Sequence, residues 1–170
     1  LRKSVNQCKP DIIFHLAAQP LVSESYLDPY KTFQSNTIGS LNILDITRKI
    51  SNVKSLVIIT SDKCYKNIEI KRGYKESDIL GGDDPYSASK ASSDHFVRAY
   101  GETYGIPYVV TNCSNNYGQN QFPEKLIPLF INNIVEEKPL PVYGDGQYTR
   151  DWLYVVDHAR AIDLVYHEGE

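Results

Sequence analysis

"SLVIIT", residues 55–60, runs without a break into "SDKCY", residues 61–65. Four successive apolar positions, three of them β-branched, suit a strand buried on both faces, and such strands belong to parallel sheets. Working outward, "DIIFHLAA" (11–18) is a second short apolar run that ends in small residues, and "YVVTNC" (108–113) is a third. Before "SLVIIT" a helix is expected from Pro29, with Phe33, Ile38, Leu41, Leu44 and Ile46 as one buried stripe. After it, residues 64–84 are polar and glycine-bearing and read as a loop. A helix is then expected from Pro85 to about Tyr104, with Gly105 as its C′ residue and Pro107 barring its continuation. Alternating strands and helices imply crossover connections, so the class is α/β with a parallel sheet.

Beyond residue 120 the pattern changes. "FPEKLIPLFINNIVEE" predicts a helix entered through proline; "LPVYGDGQYTRDW" predicts a strand, a Gly-Asp-Gly turn and a second extended piece; "VVDHARAIDLVY" predicts a helix capped by Asp157.

The 170 residues suit one domain or part of a larger one, and 41% hydrophobic with 23% charged residues is an ordinary globular composition. A net charge of -3 with scattered basic residues argues against nucleic acid or an anionic membrane surface as partner. No apolar run approaches membrane-spanning length. Cys8, Cys64 and Cys113 are odd in number and far apart, which fits a reducing cytoplasm better than a disulfide framework, and the four histidines share no metal-ligand spacing. With no methionine, and an end inside an apolar-periodic segment, the chain is expected to be part of a longer protein.

In parallel sheets, ligands sit beyond the carboxyl ends of the strands. Three segments follow strand ends here, "AAQPLV", "SDKCY" and "SNNYGQNQF", and each is rich in hydroxyls, amides or charges. The expected helix after Pro85 adds "DPYSASKASSD" (84–94), in which Tyr86 and Lys90 share one face. The chain carries its own control: "DPYKTFQSN" from residue 28 opens with the same Asp-Pro-Tyr but has Gln34 in place of the lysine. Asp-Pro-Tyr by itself is therefore the grammar of a helix start. A nearby ammonium favours a phenolate, so Lys90 is expected to draw Tyr86 from the ordinary value of about 10 toward neutrality, fitting it to take a proton from an alcohol. The same spacing also fits a surface tyrosine and a solvated lysine.

Ser61 is placed to share a hydrogen bond with that alcohol, and a protonated Asp62 can act as a general acid; a capping serine and a turn aspartate are the alternative. Arg150 has the fork geometry to hold a diphosphate, or to pair with Asp151. Lys125 can do the same or lie solvated on a helix face, and Asn115 and Asn116 can bind ligand or satisfy loop backbone.

In their order and intervals, "FHLAA", "SNTIGSLNIL", "SDKCY", "YSASK" and "NCSNNYG" resemble the extended short-chain dehydrogenase/reductase superfamily. Residues 15–82 are similar to CDP-glucose 4,6-dehydratases, and "PYSASKASSDH" onward to dTDP-glucose 4,6-dehydratases. The resemblance implies a Rossmann-type, doubly wound parallel sheet that lacks its first strands and glycine-rich turn in this chain. The NAD-binding portion would span 1–115, the start of a smaller substrate region 116–150, and a return segment 151–170. It implies NAD as cofactor and a nucleotide-diphosphate sugar, dTDP-glucose or CDP-glucose, as substrate. Hydride leaves C4 for NAD, water is lost across C5 and C6, and hydride returns to C6.

The same resemblance makes Tyr86 and Lys90 the catalytic pair, with Asp62 on the acid position and Ser61 on the Ser/Thr position. Lys63 stands where the dTDP-glucose type has a glutamate and the CDP-glucose type a lysine: neutral, it abstracts the C5 proton, and charged, it stabilises the enolate. Leu16, Ala17, Ala18 and Gln19 would line the NAD cleft, with Asn36 in support and Cys113 and Ser114 near the nicotinamide. Asn115, Lys125 and Arg150 would hold sugar and diphosphate. Gln119 departs from the family's proline, and the family habit is a homodimer.

Overall fold

The computed structural model describes residues 1–169 and divides into two compact units, residues 1–113 with 162–169 and residues 114–161. In the first unit, β1 (Ile12–His15), β2 (Ser55–Ile59) and β3 (Tyr108–Thr111) pair in parallel in that order. Ile13 lies opposite Leu56, and Val57 opposite Val109. β2 is the middle strand, and its Leu56, Val57 and Ile58 are all but inaccessible. That is the burial on both faces its unbroken apolar run requires.

Side chains alternate along a strand, so Leu56 and Ile58 face one way. There they pack with Ile43 and Leu44 of α4 (Gly39–Thr47), Val97 of α5 (Pro85–Tyr104), and Ile106. Phe14, on the alternate phase of β1, meets Tyr166 edge-on, with ring centroids 6.1 Å apart. Tyr166 belongs to the C-terminal part of α7 (Val155–Glu168). The sheet therefore carries helices on both faces, as the α/β expectation requires.

Both Asp-Pro-Tyr segments start helices. Asp28 accepts from Lys31 N at 2.9 Å and opens α3 (Pro29–Phe33), while Asp84 accepts from Ser87 N at 3.0 Å and opens α5. Each proline takes an early helical position where its missing N–H costs nothing. Gly105, at φ 66°, terminates α5 in the left-handed region where a Cβ would be strained.

Several expectations are corrected. Between α3 and α4 the chain makes a π-helical turn, Gln34–Ile38, whose extra residue rotates the buried face. Ile38 is accordingly exposed, and the buried positions are Thr32, Asn36, Thr37, Ser40, Ile43, Leu44, Ile46 and Thr47. The short helices α1 (Arg2–Cys8) and α2 (Val22–Leu27) lie where none was expected. The loop at 64–84 is more ordered than its composition suggests: Tyr65 bridges Leu80, Tyr65 stacks on Tyr74 at 5.0 Å, and Arg72 forks onto Asp78 at 2.7 and 2.6 Å.

The second unit contains β4 (Asn115–Tyr117), α6 (Leu126–Val135), β5 (Trp152–Tyr154), parallel to β4, and the first part of α7. "LPVY" is not a strand; Pro139 and Pro141 flank Leu140 and leave too few N–H groups for a ladder. Asp157 lies in the first turn of α7 rather than capping it, because the helix begins at Val155 directly after β5.

The core makes a direct prediction. Leu56→Ala removes a fully buried side chain from the middle strand, and denaturant unfolding should show a loss of about 2–5 kcal/mol. A loss below about 1 kcal/mol would mean that the site collapses to fill the cavity.

Candidate active site

The first unit's site is built at the carboxyl end of β2. Directly after the strand, Ser61 caps a 3-10 turn, Asp62–Cys64, by accepting from Lys63 N at 3.3 Å. The Ser61 hydroxyl also donates to Asp62 Oδ1 at 3.0 Å, and it is close enough to the Tyr86 phenol to lower its pKa. Lys63 Nζ sits 3.8 Å from the same Asp62 oxygen. One hydroxyl thus stands between a carboxyl group and a phenol.

The two tyrosines of Asp-Pro-Tyr differ completely in setting. Tyr30 is 76% exposed and Tyr86 only 9%. Lys90 is buried one turn further along α5 and donates to the Ile59 carbonyl at 3.2 Å, where β2 ends. Burial is the main influence on both groups. It pushes the Tyr86 phenol up to about 12; the Ser61 hydrogen bond lowers it, while Cys113, Asp62 and Asp84 raise it further. The Lys90 ammonium is held below its ordinary value by burial, although Cys113 and Cys64 oppose this. The expected drift of Tyr86 toward neutrality does not occur here: burial is the largest influence on the phenol and raises its pKa.

Asn36, on the π turn, clamps the loop after β1. Its side chain accepts from Gln19 N at 2.7 Å and donates to Gln19 O at 3.1 Å and to Ser89 Oγ at 2.9 Å. Its carbonyl accepts from Ser40 and Ser93 at 2.6 and 3.1 Å. The Gln19 side chain holds Leu21 and Thr32 in turn. A cleft of about 500 Å³ opens beside this clamp, lined among others by Ala17, Ala18, Gln19, Lys31, Ser35 and Gly39. Leu16 is 57% exposed and lies outside that lining. The volume falls within the range of small-ligand sites, and the small side chains leave the strand end open.

Cys113 is half-buried, with its sulfur 3.6 Å from the Thr60 carbonyl. Ser114, Asn115, Lys125 and Arg150 belong to the second unit. There Asn115 donates to the Asp151 carbonyl at 3.0 Å, Lys125 stands at the N-cap of α6, and the Arg150 guanidinium lies 5.6 Å from the Tyr148 ring centroid. Among the described residues, no three His, Cys, Asp or Glu side chains are grouped to hold a metal ion, and no helix is long and apolar enough to cross a membrane.

His15 is a buried wall of the cleft. Ser40 spends its single hydrogen on the Asn36 carbonyl, so His15 Nε2, 3.1 Å from Ser40 Oγ, must be the donor in that pair. Burial first, and then the charge of Lys90, lower the His15 pKa. A group whose folded-state pKa is depressed contributes stability above its ordinary value and loses it as the pH falls below that value. Acidification below about 6.5 should therefore destabilise the protein, and His15→Gln should flatten part of that fall in urea titrations at stepped pH. Burial lowers His158 too, so some slope should remain. Identical slopes in variant and wild type would show that His15 carries no proton-linked stability.

The sequence matches the family described as GDP-mannose 4,6 dehydratase over residues 1–170. It is 44% identical over 181 residues to the dTDP-glucose 4,6-dehydratase of Salmonella typhimurium (strain LT2), covering 96% of this chain and 50% of that protein. With the dTDP-glucose 4,6-dehydratase of Neisseria meningitidis serogroup B it shares 45% over 175 residues, covering 96% and 48%. The chain thus spans about half the length of the curated relatives it matches. Its fold superposes on a crystal structure of a DesIV double mutant (dTDP-glucose 4,6-dehydratase) from Streptomyces venezuelae with NAD bound, at a TM-score of 0.93 and 36% identity, covering 99% of this chain and 52% of that one. It also superposes on UDP-glucose 4-epimerase from Thermotoga maritima with UDP-glucose, at 0.91 and 28%, covering 96% and 54%. The sheet, the Tyr86 and Lys90 pair on α5 and a match over the whole sequence agree: this chain belongs to the GDP-mannose 4,6 dehydratase family.

Proposed function

We propose that the protein is an NAD-dependent nucleotide-sugar 4,6-dehydratase, a hydro-lyase that turns dTDP-glucose into dTDP-4-keto-6-deoxyglucose. The observation that carries this reading is the Ser61 hydroxyl at the end of β2, which donates to Asp62 at 3.0 Å and neighbours the buried Tyr86 phenol, whose pKa it lowers. Sugar oxidation at C4 needs a base for the 4-hydroxyl, and water loss across C5 and C6 needs an acid for the departing 6-hydroxyl. Tyr86 and Asp62 supply these two roles. NAD, when bound, supplies the hydride acceptor and donor.

Each remaining group then has a task. Lys90, anchored on the Ile59 carbonyl, holds positive charge near the phenol that must lose its proton. Lys63, whose Nζ lies 3.8 Å from Asp62 Oδ1, acts at C5 by abstracting the proton or stabilising the enolate. Asn36 holds the 16–19 loop, whose Ala17, Ala18 and Gln19 line the cleft for the cofactor. Cys113 and Ser114 complete the nicotinamide side, while Asn115, Lys125 and Arg150 receive sugar and diphosphate. The protein acts in the cytoplasm as a homodimer; exposed Tyr26, Leu27 and Tyr30 on α2 and α3 supply apolar surface for the pairing.

A CDP-glucose 4,6-dehydratase is the second reading, favoured by Lys63 and the segment around it. An epimerase on the same scaffold is disfavoured, because C4 inversion has no use for an acid at the 6-hydroxyl. Full-length protein supplied in parallel with dTDP-glucose and CDP-glucose decides, read by the alkaline ultraviolet absorbance of a 4-keto-6-deoxy product. Signal with dTDP-glucose is expected, and Asp62→Asn should abolish water loss while sparing C4 oxidation. Signal with CDP-glucose alone overturns the choice of nucleotide. Silence with both, in protein shown to contain NAD, overturns the dehydratase.

A further inference from the structure

Tyr86, Lys90, Asp94 and Arg98 are spaced four apart on α5 and therefore share one stripe of the helix. The first two belong to the site described above. The third is a carboxylate with no exposed surface at all. A charge buried to that degree needs fixed partners. Arg98 Nε donates to Asp94 Oδ1 at 2.5 Å, and Asn112 Nδ2 approaches Oδ2 at 3.5 Å.

Asn112, just past β3, is the junction. Its amide nitrogen also donates to Thr60 Oγ1 at 2.6 Å and to Cys64 Sγ at 2.9 Å, while its oxygen faces the Tyr65 hydroxyl at 3.4 Å. Thr60 Oγ1 gives its own hydrogen to the Thr111 carbonyl at 3.1 Å, so toward Asn112 it can only accept. Asp94 too can only accept. A flipped Asn112 amide would set its oxygen against both, so the two acceptors together fix which way the amide points. Thr60 immediately precedes Ser61, and Cys64 closes the 3-10 turn that begins at Asp62. The backbone tightens the same junction, with Asp62 N donating to the Cys113 carbonyl at 2.9 Å.

We propose that Asp94 is a positioning residue: through Asn112 it locks the 61–64 turn against α5, and so sets Ser61 and Asp62 relative to Tyr86. Ring and ammonium ride on the same helix as Asp94, whereas the serine and the acid sit on a separate turn. Losing Asp94 therefore leaves Tyr86 and Lys90 in place and lets the turn drift. Displacement of a catalytic group by about 1 Å costs on the order of 10²-fold in rate.

Cys64 provides a readout that does not depend on activity. It is fully buried on the turn, with its thiol pushed up to about 11 by burial first and then by the charge of Asp94. Asp94→Asn and Thr60→Val both cut the junction, but they act oppositely on the thiol. The first removes a charge that raises its pKa, and the second removes a hydrogen bond that lowers it. Faster modification of Cys64 by Ellman's reagent in both variants can therefore come only from opening of the turn. We expect an acceleration of about 10-fold or more, with exposed Cys8 unchanged and the melting temperature above the assay range.

In the full-length protein with NAD and dTDP-glucose, kcat should fall about 10–100-fold with KM within about threefold, and reduced nicotinamide should accumulate because water loss suffers more than C4 oxidation. This kinetic arm rests on the proposed reaction; the thiol arm does not, so the two fail separately. Unchanged Cys64 protection in both folded variants overturns the proposal. So does unchanged kcat in a protein that turns over dTDP-glucose. Should Asp94→Asn not fold, Thr60→Val alone decides by the same two measurements.

Discussion

A charged side chain buried beneath a strand end is the constraint around which this site is organised. Lys90 reaches the Ile59 carbonyl through protein interior, and Tyr86 lies beside it with its phenol equally enclosed. Desolvation works against the charged form of each, holding the lysine down and the phenol up. Such a pair persists only where neighbouring groups fix it in place. The required partners come from three directions: the end of β2, the turn after it, and the segment after β3. Buried serines and a buried carboxylate on α5 complete the set, and the helix is consequently polar on the face that a helix of its length would normally make apolar.

The π turn in the preceding helix follows from the same demand. Its displaced carbonyl at Asn36 accepts from Ser40 and from Ser93 of α5, while the Asn36 side chain grips the 16–19 loop and Ser89. One residue thus joins the loop after β1, the helix that crosses behind it and the helix that carries Tyr86. A regular α-helical turn would spend that carbonyl on the i+4 amide. Here the carbonyl accepts from the Gly39 N–H instead and takes the Ser40 and Ser93 hydroxyls besides.

Much of this was legible in the sequence. Three apolar runs, each followed by polar segments, defined a parallel sheet and its functional end. The contrast between "DPYSASK" and "DPYKTFQ" separates the helix-capping grammar that both share from the lysine that only the first carries. What was not legible depends on through-space pairing. Ile38 was expected to be buried because a continuous 3.6-residue period was assumed, and a single π turn broke it. Asp94 lay on the i+4 ladder with Tyr86 and Lys90 but looked like any polar helix residue, because its partners Asn112 and Arg98 come from a strand end and from the next turn. His15 gave no signal at all, since its neighbour Ser40 lies 25 residues away. Lys90 was expected to acidify Tyr86, whereas enclosure of the phenol raises its pKa, and that enclosure depends on the tertiary fold.

The central claim is that Ser61, Asp62 and Tyr86 act as one unit through a single shared hydroxyl. A double-mutant cycle of Ser61→Ala and Tyr86→Phe in the full-length protein, followed by kcat on dTDP-glucose, tests it most directly. If both act on the same hydroxyl, the double variant will be scarcely slower than the slower of the two single variants. Losses that multiply would mean that the two side chains work independently, and that the convergence at Ser61 has no part in the chemistry.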